Sequence, residues 1–257
     1  MSCNEAPAPD PCENQPLSIQ KINDYHPDNF FYKSLPNNVT VKENSEQIIN
    51  ALVTETGSNC RVSVKAFAEK VYYTDSNTPK RTLYSRICNY NNQKEKLTNV
   101  PIPNGANQAS GTDEQVTFVD TENNLLYNFQ SYSSPASPCP NLFGCFQYSG
   151  ISVVPISNTA VTMYGTNPAS GFGGAGILGI SGAIWPEELN NGYINHALRG
   201  GYNLINSEFV SPAIKSDGPS FHENSLPMGT LLQLNPNLNL DTIEMSNSER
   251  TIAKAMQ

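Results

Sequence analysis

The chain has 257 residues, of which 38% are apolar and 15% charged, with a net charge of -8. Polarity comes instead from uncharged amides and hydroxyls, with Asn supplying roughly an eighth of all residues. The acidic balance excludes the basic footprint of a nucleic-acid binder. No apolar run is long enough to span a membrane.

Residues 1–16 are rich in Pro, Asn and acids, carry no apolar stretch of signal-peptide type, and read as a disordered leader. Residues 17–40, with the Phe30-Phe31-Tyr32 cluster, read as an extended segment packed on a core. Around Glu46, Ile48, Ile49, Leu52 and Val53 the i, i+3, i+4 spacing predicts a short helix over 43–56, capped at Asn44 or Ser45. From residue 61 the pattern turns to β. Val62–Lys65 and Lys70–Tyr73 read as short strands. Gln115–Val119 and Leu125–Tyr132, joined by the polar run Asp120-Thr-Glu-Asn-Asn124, read as a hairpin. A Ser/Pro/Cys loop follows over 133–145, and then a strand over Gln147–Val154. Seven glycines crowd residues 165–183. Gly171-Phe-Gly-Gly-Ala-Gly176 lacks both the Gly-Lys-Ser/Thr ending of a phosphate loop and a βαβ context, so it reads as a place where backbone approaches backbone.

Trp185-Pro-Glu-Glu-Leu-Asn-Asn-Gly192 reads as one short helix. Pro186 suits the first position, Glu187 and Glu188 favour the positive N-terminal end, and Gly192 suits the stop. Phe209-Val-Ser-Pro reads as a strand, Leu226–Gly229 as a turn and Thr230–Leu234 as a strand. Ser246-x-x-Glu249 is a capping box opening a last helix that runs to the chain end. No repeat or composition break divides the chain. The fold expected is mainly β: a leader over 1–16, then one β-sandwich or jelly-roll domain over 17–257 with two or three short helices.

Six cysteines, Cys3, Cys12, Cys60, Cys88, Cys139 and Cys145, in an Asn-rich chain favour disulfides and an exported protein, with free buried thiols as the alternative. No CxxC occurs, and His26, His196 and His222 are not spaced as zinc ligands, so neither a metal nor another cofactor is expected.

Four segments carry a resemblance: Ile184–Leu198 with its Trp-Pro-Glu-Glu-Leu and His-Ala-Leu strings, Phe209–Gly218 ending Lys-Ser-Asp-Gly, Leu226-Pro-Met-Gly-Thr-Leu-Leu-Gln-Leu234, and Thr251-Ile-Ala-Lys-Ala-Met256. In this order they resemble a group of secreted bacterial proteins with concanavalin-like jelly rolls, often found beside carbohydrate-binding or cell-wall modules. Members of the group carry an Asp-Phe-Trp-Gln string where this chain has Tyr127-Asn128-Phe129-Gln130, and they continue into a further strand after the last helix. The resemblance implies a secreted or cell-surface protein that acts on or binds extracellular polysaccharide.

His196 is the sharpest chemical candidate, because an imidazole near neutrality serves as acid or base. The competing reading is a buried ring that fixes a corner of the fold. Asp217 would orient it or bind hydroxyls, against an Asp-Gly turn. Glu187 and Glu188 point apart on a helix and do not form a glycosidase pair. His222 and Glu223 fall short of a metal set. On the hairpin, Tyr127 and Phe129 share one face and Asn128 and Gln130 the other, where a solvent-facing sheet would offer amides to sugar. Trp185 is a core plug or a stacking platform. Arg199 and Lys215 are helpers by type. Three functions compete: a polysaccharide hydrolase or lyase, a non-catalytic glycan-binding surface module, and a self-associating structural protein.

Overall fold

A computed structural model describes residues 30–36, 39–57, 67–88, 94–132, 146–156 and 173–257. Strand outweighs helix among them. They fall into two compact units, one within Ser63–Asn158 and the other combining Ser18–Val62 with Gly173–Gln257. The leader, the Val62–Lys65 strand and the 133–145 loop lie outside the described residues. So does the disulfide expectation, since only the backbone of Cys88 is described.

Among the described residues the first unit holds seven strands: β1 (Val71–Thr74), β2 (Lys80–Cys88), β3 (Lys94–Pro101), β4 (Val116–Asp120), β5 (Leu125–Gln130), β6 (Phe146–Tyr148) and β7 (Gly150–Pro155). They form a four-stranded sheet in the order β1-β4-β5-β7 and a three-stranded sheet in the order β3-β2-β6. The expected hairpin is present, with Val116 opposite Phe129 and Phe118 opposite Tyr127. Its turn is set by Asp120, whose carboxylate accepts from the Asn123 backbone N–H at 3.2 Å and from its Nδ2 at 2.8 Å. Asn124 takes φ 56°, a left-handed conformation that Asn tolerates well.

The period of two sends Val116, Phe118, Tyr127 and Phe129 to one face. There they share a core with Leu83 and Val100 of the second sheet and with Tyr132 and Tyr148. The aromatic rings meet edge on, Phe118 to Phe129 at 6.0 Å and Phe129 to Tyr148 at 5.6 Å. Burying each such side chain is worth about 1.5–3 kcal/mol, which makes this cluster the main support of the unit.

The run read as one strand over Gln147–Val154 is two. At Ser149 the chain leaves the second sheet, where β6 lies parallel to β2, and joins the first, where β7 lies antiparallel to β5. Two pairs here are parallel, β1 with β4 and β2 with β6.

The second unit contains α1 (Ser45–Thr56), α2 (Pro186–Asn191), β8 (Ile205–Phe209), β9 (Leu226–Met228), a 3-10 turn at Leu240–Thr242 and α3 (Asn247–Ala255). Of the segment expected to be extended over 17–40, the described residues include a 3-10 turn at Phe30–Tyr32 that buries Phe31. Helix α1 follows its apolar spacing, burying Ile48 and Leu52 against Leu204 and Leu226. Strand β8 ends at Phe209, where the Phe209–Pro212 strand was expected to begin. Strand β9 occupies the residues read as a turn, while Thr230–Leu234 is not a strand. Pro227 is tolerated because, among the described residues, β9 pairs with one neighbour only, parallel to β8. Helix α3 opens on the expected capping box: Ser246 Oγ accepts from the Glu249 N–H and Glu249 Oε2 from the Ser246 N–H. It closes at Ala255, before the last two residues. No helix among the described residues is long and apolar enough to cross a membrane.

Candidate functional site

The second unit brings together a carboxylate, an imidazole and a phenol from three separate stretches of chain. Helix α2 supplies the carboxylate. Pro186 opens the helix, with Trp185 in an extended conformation before it, and Gly192 ends it at φ 71°, ψ 22°. The chain then reverses, and the Tyr193 N–H bonds the Glu188 carbonyl at 3.0 Å. This reversal carries Ile194 and His196 back into the interior. The Ala197 N–H bonds the Phe31 carbonyl at 2.7 Å, and the Arg199 N–H bonds the Gly182 carbonyl at 3.1 Å. Gly182 is required there. Its φ is +70°, and a Cβ would stand 2.6 Å from the Phe31 ring and 2.7 Å from the Arg199 nitrogen.

Within this frame His196 Nε2 lies 3.0 Å from Glu188 Oε1, and both side chains are only 2% exposed. The ring N–H is off the line to that oxygen, so the contact is an ion pair more than an aligned hydrogen bond. Nδ1 lies 2.9 Å from the Ala197 carbonyl and donates to it, because a carbonyl only accepts. Glu188 Oε2 accepts from the Trp185 backbone N–H at 3.0 Å. The Tyr32 ring stands edge on to the imidazole at 5.4 Å.

These contacts fix the protonation chemistry. With Nδ1 donating to the carbonyl, a proton must sit between Nε2 and the carboxylate, or two acceptors would face each other in a dry interior. Burial draws the His196 pKa down. The bond to Glu188, the bond to the Ala197 carbonyl and the Glu188 charge together outweigh burial, leaving it above the ordinary imidazole value. The Tyr32 hydroxyl is pushed up to about 12, by burial first and by the Glu188 charge second.

The other sequence candidates are dispersed. Asp217 does not pair with His196; it is exposed, and its carboxylate lies over Gly174, where a Cβ would fall 2.0 Å from Oδ1. Lys215 is half-buried beside Gly176. Arg199 is exposed and donates through Nη1 to the Leu178 carbonyl at 3.0 Å. Trp185 is buried at the start of α2.

Tyr127, Asn128 and Gln130 belong to the first unit. Tyr127 lies in the shared core, and burial, then the Asp120 charge, raises its hydroxyl pKa. Asn128 faces away from that core but not toward water, for it is fully buried. Its Nδ2 donates to Glu69 Oε1 at 2.8 Å and to Thr117 Oγ1 at 2.7 Å, while the Thr117 hydroxyl donates to Glu69 Oε1 at 2.6 Å. Gln130 is half-buried at the strand end, where its carbonyl accepts from the Ser149 N–H at 3.0 Å.

Glu188 as the partner of His196, and Tyr32 as its neighbour, were not foreseen. A carboxylate eight residues before a histidine, with a helix-ending glycine between, is the pattern that would have found the first. Among the described residues no group of three or more His, Cys, Asp or Glu is placed to hold a metal ion. Comparison with known protein families, curated proteins and solved structures finds no match.

Proposed function

We propose that the protein is a non-catalytic, polysaccharide-binding module of the extracellular space or cell surface. One observation carries the choice of binding over catalysis: the imidazole and carboxylate that would do acid–base work are paired with each other and bonded to backbone, with both side chains 2% exposed. A general acid or base must reach its substrate within hydrogen-bond distance. The polysaccharide part rests on the four-segment resemblance and on a low-charge, amide-rich composition. Two sheets around one core are the layers a jelly roll would supply, and the parallel pairs β1–β4 and β2–β6 mark where this chain departs from a purely antiparallel one. Tyr193, Tyr202 and Phe221 are exposed aromatic residues of the second unit, and Arg199 and Asp217 also reach its surface.

The test is a glycan array run beside a depolymerisation screen on the same polysaccharides. The expected result is retention of at least one neutral or weakly acidic glycan with no new chain ends. Depolymerisation by the wild-type protein would overturn the non-catalytic reading, and absence of any glycan retention would overturn the polysaccharide reading.

A further inference from the structure

The Glu188–His196 pair lies within eight residues of chain but packs against the Phe30–Tyr32 turn, more than 150 residues earlier in the sequence. That turn meets the 194–199 segment through the Ala197 N–H to the Phe31 carbonyl and through the Tyr32 ring against the imidazole, and Phe31 packs with Ile177 in a cluster that Tyr32, Ala175 and Ala197 join. The hydrogen bond and the ring contact are made by the residue that carries the paired ring or by the one after it. We propose that Glu188 and His196 form a pH-sensitive latch that holds the Phe30–Tyr32 turn against the 194–199 segment and releases it as the solution becomes alkaline.

The reason is the dryness of the pair. While the ring carries its second proton, the carboxylate has a counter-charge 3.0 Å away. Once that proton leaves, the Nε2 lone pair and Glu188 Oε1 oppose each other without water, and relief comes from moving the segment that bears His196. Among the described residues Glu188 is the charged group that acts on the ring. Tyr32 is the titratable group facing the pair from the turn. Glu187 neighbours Glu188 on α2, and Arg199, on the segment itself, is directed to the Leu178 carbonyl. On α3, which lies beside α2, Arg250 binds the Leu240 and Ile243 carbonyls, Glu249 closes the Ser246 cap, and Lys254 is exposed. The raised His196 pKa gives the direction: its contribution is complete below about 6.5 and disappears as pH climbs through the native value.

Trp185, the single tryptophan, donates its backbone N–H to Glu188 and so reports on the latch. The experiment is tryptophan emission of the full chain from pH 5.5 to 9, paired with amide exchange corrected for intrinsic rates. Expected is an emission change with its midpoint above 6.5, with protection at Ala197 and Arg199 falling about tenfold relative to Phe118. Glu188→Gln should move the midpoint to lower pH, and His196→Gln should abolish it. A constant ratio of Ala197 to Phe118 protection across this range in the wild type would overturn the latch, whether or not either variant folds. Persistence of the transition in a folded His196→Gln protein would overturn it as well.

Discussion

Replacing His196 with alanine should destabilise the second unit far more than the loss of a surface histidine would. The substitution leaves Glu188, itself 1% exposed, as a buried carboxylate whose counter-charge is gone. Deleting one partner of a buried pair costs about 3–5 kcal/mol. Glu188 keeps the Trp185 N–H at 3.0 Å, which places the expected loss near the lower end, about 3 kcal/mol. At about 2–4 °C per kcal/mol this lowers the melting temperature by roughly 6–12 °C. The assay is equilibrium urea unfolding followed by Trp185 emission at pH 6, on wild type, His196→Ala, Glu188→Gln and the double variant. Glu188→Gln removes the buried charge and keeps the shape, so it should cost only about 1 kcal/mol. The double variant should be more stable than the two single losses sum to, because the orphaned carboxylate is then absent. The gap between wild type and His196→Ala should narrow from pH 6 to pH 9, since the wild-type histidine contributes only while protonated. A His196→Ala loss under about 0.5 kcal/mol, or a gap that widens with pH, would refute the reasoning.

In the first unit, Phe118→Ala should cost about 3–5 kcal/mol in urea unfolding monitored by far-ultraviolet circular dichroism, because Phe118 is fully buried among Tyr72, Phe129 and Tyr132. Asn128→Ala strips donors from Glu69 and Thr117 and should lose about 1–3 kcal/mol of stability while leaving glycan retention of the folded protein unchanged. Reduced retention at unchanged stability would return Asn128 to a sugar-binding role.

What the sequence made legible was what neighbouring residues decide. Ser246 and Glu249 announce the start of α3, Pro186 and Gly192 bracket α2, and Asp120 with Asn124 builds the hairpin turn, each through contacts within a few residues. What it hid depended on distant partners. Strand β9 was obscured because Pro227 signals a turn, and its pairing with β8 comes from twenty residues earlier. The division of β6 from β7 was hidden because Phe146–Pro155 is one apolar-alternating run, and only pairing to two different sheets reveals the corner at Ser149. Strands β2 and β3 carry Lys, Arg, Thr and Asn among few apolar residues, so their period is faint. At the candidate site, His196 stood out as a residue type, but its environment did not. Glu188 had a sufficient local explanation in the helix dipole, which concealed its role as a buried counter-charge, and Tyr32 reaches the pair from more than 150 residues away. Asn128 was expected on a solvent face because alternation assumes one open side, whereas both faces of β4 and β5 are buried.

The charge that Glu188 holds on His196 inside the second unit is read by following the His196 C2–H resonance through a pH titration of the full chain, assigned against His196→Gln. A midpoint above 6.5 in the wild type that falls in Glu188→Gln is the result this account predicts. A midpoint at or below 6.5, unmoved by Glu188→Gln, would contradict it.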